Sequence, residues 1–201
     1  MAGVVKRRTF WQFYGGPVAV MVLAYLVPMA AAGAAVRAGE PQALRARAEM
    51  VRRVGQALPI ATATRQIRAG QYVRATLTVF VWNFAVGAVA MSTLVGSAFF
   101  ALPPAVAMLR GTGLGLLYGP ASLEGARGLV TVVTALLELP CYMMAGALGV
   151  RLGLAWLRPP RRERLLEAWE HARWSIPALG LMLLLAAIWE VGALSVLSRR
   201  P

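Results

Sequence analysis

A chain of 201 residues that is 59% hydrophobic, with a positive mean hydropathy, exceeds what a soluble globular domain carries and belongs in a bilayer. Its 21 Lys+Arg stand against 8 Asp+Glu, and every acid is a glutamate, which excludes a Walker B aspartate, an aspartyl protease dyad and an Asp-rich metal cage; no G-x-x-x-x-G-K-S/T loop occurs, so no ATP hydrolysis by the chain itself is expected. A formal charge of +13 would suggest nucleic acid in a soluble protein, but here the arginines cluster between apolar runs, where anionic headgroups and the positive-inside rule account for them, and no nucleic-acid partner is expected.

Lys6, Arg7 and Arg8 precede an apolar run from Phe10 to Val36. A cleaved signal peptide is weighed and set aside, because the run exceeds an apolar signal core of about 7 to 15 residues. Residues 10–36 are therefore predicted as span 1, with Trp11, Phe13 and Tyr14 as an interfacial aromatic anchor. Residues 37–72 form a basic linker. Within it, "ALRARAEMVRRVGQAL" sets Leu44, Ala48, Val51 and Leu58 on one helical face, with Arg45, Glu49, Arg52 and Arg53 elsewhere, as in a helix lying flat on a membrane.

Residues 73–100 read as span 2, with Asn83 beside Trp82 well inside it. The next segment, 101–119, is less regular. Pro103 and Pro104 disfavour an unbroken helix at its start, glycines including Gly111 crowd its second half, and Arg110 falls in the middle, so it is predicted to be broken or re-entrant. Residues 128–153 form span 4 and carry Glu138, Pro140, Cys141 and Gly149. The single cysteine permits no intrachain disulfide and reads as a small core packer. Residues 158–173, "RPPRRERLLEAWEHAR", form a second amphipathic helix clustering Leu165, Leu166, Trp169 and Ala172. The last span, 174–197, has Pro177 in its first turn and contains Glu190. The fold predicted is an all-α polytopic membrane bundle in one domain, 1–201, with about five membrane segments and two amphipathic surface helices.

Charge counting gives an orientation. Residues 37–74 hold eight arginines and residues 151–173 hold six, so both stretches are expected on the cytoplasmic side, with an even number of crossings between them. Two crossings fit if 101–119 dips in and returns, buried in protein. That arrangement leaves Lys6, Arg7 and Arg8 outside. The alternative, five full spans, puts one arginine-rich stretch outside instead.

Three ionisable residues fall inside apolar runs: Arg110, Glu138 and Glu190. Each costs roughly 2.5 to 3.5 kcal/mol at mid-bilayer on insertion scales. An Arg110 bridge to one carboxylate, the other protonated or facing a polar cavity, would satisfy them. Leu139 precedes Pro140 and is biased away from helical geometry, so Glu138 has two readings: a cap for backbone freed beside the proline, or a proton or substrate contact. Asn83 is expected to hydrogen-bond a neighbouring helix, and Gly146 and Gly149 with Ala145 and Ala147 to permit close helix approach. Enzymatic chemistry is not expected. The single histidine, His171, cannot build a metalloprotease site, and Ser92 and Ser97 have no histidine base in a span nearby, so catalytic residues, metal and cofactor are all assigned as none.

The string "VFVWNFAVG", then "LRGTGLGLLYG", "LLELPCYMMAGALGVRLG" and a late "LLAAIWEVG" resembles the stage II sporulation protein M family of integral membrane proteins over roughly residues 70–197. The first 70 residues match only in having one span and a basic linker. Arg110-Gly111, Glu138-Leu139-Pro140, Gly149 and Glu190 stand where the family's motifs stand. The resemblance implies a multi-pass protein of a bacterial inner (cytoplasmic) membrane that works as a non-enzymatic scaffold, recruiting peptidoglycan-remodelling partners; its namesake resembles such an anchor in engulfment. The alternative it implies is a permease-like subunit served by a separate ABC-type ATPase. In either case partners are the bilayer and other envelope proteins, a homo-oligomer is open to it, and Arg52, Arg53, Arg162 and Trp169 on the amphipathic helices are the candidate docking residues. A scaffold should show the three buried charges paired and dry, a permease a cleft open to water or lipid.

Overall fold

A computed structural model describes residues 10–118 and 125–197, and among these the chain is helical with no strand. Lys6, Arg7, Arg8 and Gly119 lie outside the described residues. In chain order the helices are α1 (Phe10–Arg37), α2 (Pro41–Gln56), α3 (Leu58–Arg68), α4 (Tyr72–Val81), a π-helical stretch (Trp82–Leu94), α5 (Val95–Ala98), α6 (Leu102–Leu117), α7 (Gly125–Leu157) and α8 (Arg161–Leu197). Four are long and apolar enough to cross a membrane: Trp11–Arg37, Tyr72–Ala98, Gly128–Leu157 and Arg161–Leu197. Outward faces are correspondingly apolar, with Leu23 61%, Leu136 69% and Leu181 60% exposed, surface that water would penalise and lipid does not.

Over its described residues, segment 101–119 is not broken. Pro103 and Pro104 occupy the first turn of α6, where a missing N–H costs nothing and the fixed φ suits the helix, and the 16 residues then run continuously. At 1.5 Å per residue α6 is roughly 24 Å long, somewhat under a hydrocarbon core of about 30 Å. Its glycines are an interface instead of a weakness. A Cβ at Gly111 would strike the carbonyl oxygen of Tyr25, and one at Gly115 that of Met29, so the two glycines, one turn apart, let α6 ride parallel on the backbone of α1.

The stretch from Tyr72 to Ala98 packs on α7 in the same direction. Asn83 meets Glu138, Gly87 meets Tyr142, and Ser92 and Gly96 both meet Gly149. The spacing along the Tyr72–Ala98 side of this pairing, 83 to 87 to 92 to 96, contains a five-residue step that an α-helix would not keep on one face. The π-helical stretch supplies it, through i to i+5 bonding. Side chains reinforce the widened turn: Ser92 Oγ donates to Gly87 O at 2.8 Å, five residues back. Thr93 Oγ1 lies 3.1 Å from both Ala88 O and Ala145 O, tying the π-helical stretch to α7. With Thr93 buried, Thr93→Val is expected to cost about 1 kcal/mol, within the range of interhelical hydrogen bonds in membranes, read as a lowered unfolding midpoint in detergent.

Phe13 on α1 meets Arg151 on α7 and His171 on α8, while Met21 packs on Gly146, so α1 is antiparallel to α7. The start of α1, the end of α5, the start of α6, the end of α7 and the start of α8 therefore share one end of the bundle. This places the arginine-rich stretch 151–173 at that end and joins 37–74 to the other, where α1 ends and α4 begins. Charge counting predicts both at one end. It does so because it lets 101–119 dip and return, whereas α6 runs along α1 from the level of Gly96, which Pro103 touches, to that of Thr131.

Two further expectations change. The amphipathic helix 158–173 and the last span 174–197 are one helix, α8, of 37 residues, with Pro177 in its interior and Leu165, Ala168 and Ala172 turned into the core while Leu166 and Trp169 stay exposed. Of the aromatic anchor, only Trp11 faces outward, at 71% exposed; Phe13 and Tyr14 are core residues. Phe13 stacks on His171 at 4.5 Å between centroids, and Arg151 lies over its ring and donates Nε to its carbonyl. Those contacts explain why the chain's one histidine is a packing residue.

A polar cleft as candidate functional site

Glu138 lies ten residues into the 30-residue Gly128–Leu157 span, about 15 Å from its start and about 7 Å from its midpoint, and so within a hydrocarbon layer of about 30 Å. α7 continues unbroken through Pro140, two residues on. The expected cap is not made. Proline removes an N–H, which frees a carbonyl on the preceding turn, and an ionised carboxylate accepts only, so it cannot serve that carbonyl. Glu138 Oε1 instead accepts a 2.5 Å hydrogen bond from Asn83 Nδ2 on the π-helical stretch. Asn83 thus bonds a neighbouring helix, with Glu138 as its partner.

Both side chains line a cleft of about 500 Å³ between α1, α3, the π-helical stretch, α6 and α7, walled mainly by Trp82, Leu109, Leu114, Leu117 and Leu139. Met50 of α2 and Ile60 of α3 close one side. Arg110 lines the same cleft. Its guanidinium lies over the Tyr142 ring, 4.9 Å from the centroid, and near Tyr25, which lines the same cleft. A second cavity of about 350 Å³ adjoins it, lined by Tyr118, Thr131, Thr134, Glu138, Glu190 and Leu194. Glu138 lines both, as do Leu114 and Ala135, so its carboxyl touches the space of both Arg110 and Glu190.

The three ionisable residues are thus gathered, but not as a bridge. Among the described residues no ion pair within 4.0 Å joins Arg110 to Glu138 or to Glu190. The aromatic face of Tyr142 takes the guanidinium, and Asn83 takes one oxygen of Glu138. Thr134 Oγ1 is buried with no hydrogen-bond partner in the protein.

Of the packing residues, Pro103 is buried against Gly96, and Gly111 and Gly149 sit on backbone of other helices; Pro104 is half-buried and Pro140 exposed, neither breaking its helix. Arg52 and Arg53, expected as docking residues, both pair with Glu49 at 2.6 Å on the exposed face of α2, which holds that carboxyl below the usual glutamate range; such surface pairs contribute little to stability. Arg162 and Trp169 are exposed on α8, Trp169 at 58%.

Sequence reading missed Tyr25, Tyr118, Thr131, Thr134 and Tyr142 as lining residues. A signal existed on α7. Thr131, Thr134, Glu138 and Tyr142 are spaced three, four and four apart, a polar stripe on one face of an apolar helix. Tyr25 and Tyr118 carry no such signal, because only the docking of α1 and α6 brings them to the cavities.

Compared with known proteins, residues 18–192 match the family model described as stage II sporulation protein M. The match takes in most of α1 and the whole basic linker, both of which fall outside the stretch whose motifs carry the resemblance. No curated protein matches, and no solved structure does.

Proposed function

The chain belongs to the stage II sporulation protein M family, as a multi-pass membrane protein, and on that premise we propose that it is a permease-like subunit whose intramembrane cleft takes a cargo and whose energy comes from a separate ATPase. The observation that carries this reading is the placement of Arg110 and Glu138 in one cleft within the spans, without an ion pair between them. Ionisable groups left unbridged inside a membrane-spanning bundle mark a pathway or binding site by default. A scaffold that used these residues only to hold helices together would gain by pairing them. The lack of a G-x-x-x-x-G-K-S/T loop in this sequence supports a reading in which the energy comes from a partner.

A second reading, a scaffold for peptidoglycan-remodelling proteins, is supported by the start of α8. With 37 residues α8 is about 55 Å long, so part of it stands beyond a layer of about 30 Å, and there it presents Arg162, Leu166 and Trp169 outward. Crosslinking in the native membrane followed by pull-down separates the two. An ATP-binding-cassette subunit is the expected capture. Recovery of cell-wall hydrolases with no ATPase overturns the permease reading in favour of the scaffold.

A further inference from the structure

The cleft presents one guanidinium and one carboxyl group to a single space, each held in place by neighbours that leave it bonding capacity. Arg110 rests on Tyr142, and a guanidinium has five donors in a planar fork that suits phosphate bidentately. Glu138 has Oε1 occupied by Asn83, and among the described residues Oε2 has no partner. Around them the walls are apolar. Leu109 is 75% exposed and Trp82 48%, so the cleft opens beside the lipid-facing surface of the bundle.

Resting on the permease-like reading, we propose that the cleft binds a phospholipid with a primary-amine headgroup, its phosphate on Arg110, its ammonium on Glu138 Oε2 and an acyl chain along Trp82, Leu109 and Leu114. Charge complementarity selects this class. A lipid carrying only negative charge would face Glu138 without a counter-charge. A quaternary choline headgroup has no N–H to give the carboxylate. A soluble zwitterion would leave the leucine and tryptophan walls in contact with water.

The test uses the purified full-length protein, with bound lipid measured by native mass spectrometry after incubation with equal amounts of phosphatidylethanolamine, phosphatidylglycerol and phosphatidylcholine. Phosphatidylethanolamine should be retained roughly tenfold over the other two, the worth of one charge-assisted hydrogen bond. Glu138→Gln should abolish the preference over phosphatidylcholine, and Arg110→Gln should lower retention of all three. Should Arg110→Gln not fold, Leu109→Trp, at an exposed position on the rim, should lower occupancy without touching the polar groups. Equal retention of the three lipids by the native protein, or a preference that survives Glu138→Gln, overturns the proposal. Competition by soluble phosphoethanolamine would overturn it in favour of a soluble cargo. The outcome is separate from that of the pull-down: an ATPase partner without lipid preference removes the ligand and keeps the permease, and lipid preference without an ATPase does the reverse.

Discussion

Gly149→Val is expected to prevent the bundle from assembling, seen as loss of the folded species in detergent and a collapse of yield in the membrane fraction. A Cβ at this position would strike the carbonyl oxygen of Ser92 and stand 3.1 Å from both the Thr93 oxygen and the Gly96 Cα. All three are backbone atoms of the π-helical stretch and α5, so no side chain can turn aside to make room. The two parallel helices must separate, and with them goes the contact one turn on, where Gly153 lies against the Gly96 oxygen and Phe100. The Thr93 bond to Ala145 O is lost as well. Overpacking costs about 1 to 3 kcal/mol where side chains absorb it and more where they cannot, against a total stability of about 5 to 15 kcal/mol. Gly192→Ala is the control, because nothing lies within 4 Å of its added methyl and alanine favours the helix. If Gly149→Val unfolds at the same midpoint as Gly192→Ala, the close parallel packing of this pair is wrong.

The same pair of helices shows what a sequence can and cannot disclose. Apolar runs give the long helices directly, because spanning hydrocarbon needs length and hydropathy and little else. Glu138, Arg110, Glu190 and Asn83 stand out for the same reason, as polar groups where none is free of cost. Their partners do not. Glu138 bonds Asn83 across 55 positions of sequence, and that register depends on a π-helical stretch that hydropathy cannot register, because a widened turn leaves composition unchanged. Ser92 and Thr93, hydroxyls amid apolar neighbours, are its only local trace. Pro103 and Pro104 mislead in the opposite way: read as breakers, they sit in the one turn where proline starts a helix, and which turn that is depends on where Phe99 to Ala101 bends the chain. The orientation argument fails on the same segment, since counting arginines says nothing about whether α6 returns or runs through.

Glu138→Leu is expected to destabilise the protein by about 1 to 2 kcal/mol, whereas Glu138→Gln should stay within about 0.5 kcal/mol of the native protein, both read from unfolding in detergent. Two effects of opposite sign decide this. Removing an ionisable group from within the span relieves a burden of roughly 2.5 to 3.5 kcal/mol on insertion scales, which favours leucine. Removing it also leaves the half-buried Asn83 amide without its acceptor. In the folded bundle the first effect is small, because the carboxylate faces two cavities instead of lipid tails. The second therefore wins, and glutamine avoids it by offering Asn83 the same carbonyl oxygen. Replacing both partners, Asn83→Leu with Glu138→Leu, should recover most of the loss, as two apolar groups that meet each other leave no orphan donor; the coupling between the two single changes measures the bond itself. A leucine variant at least as stable as the native protein would give the opposite result, with Glu138 retained against stability and its place in the cleft left to binding alone.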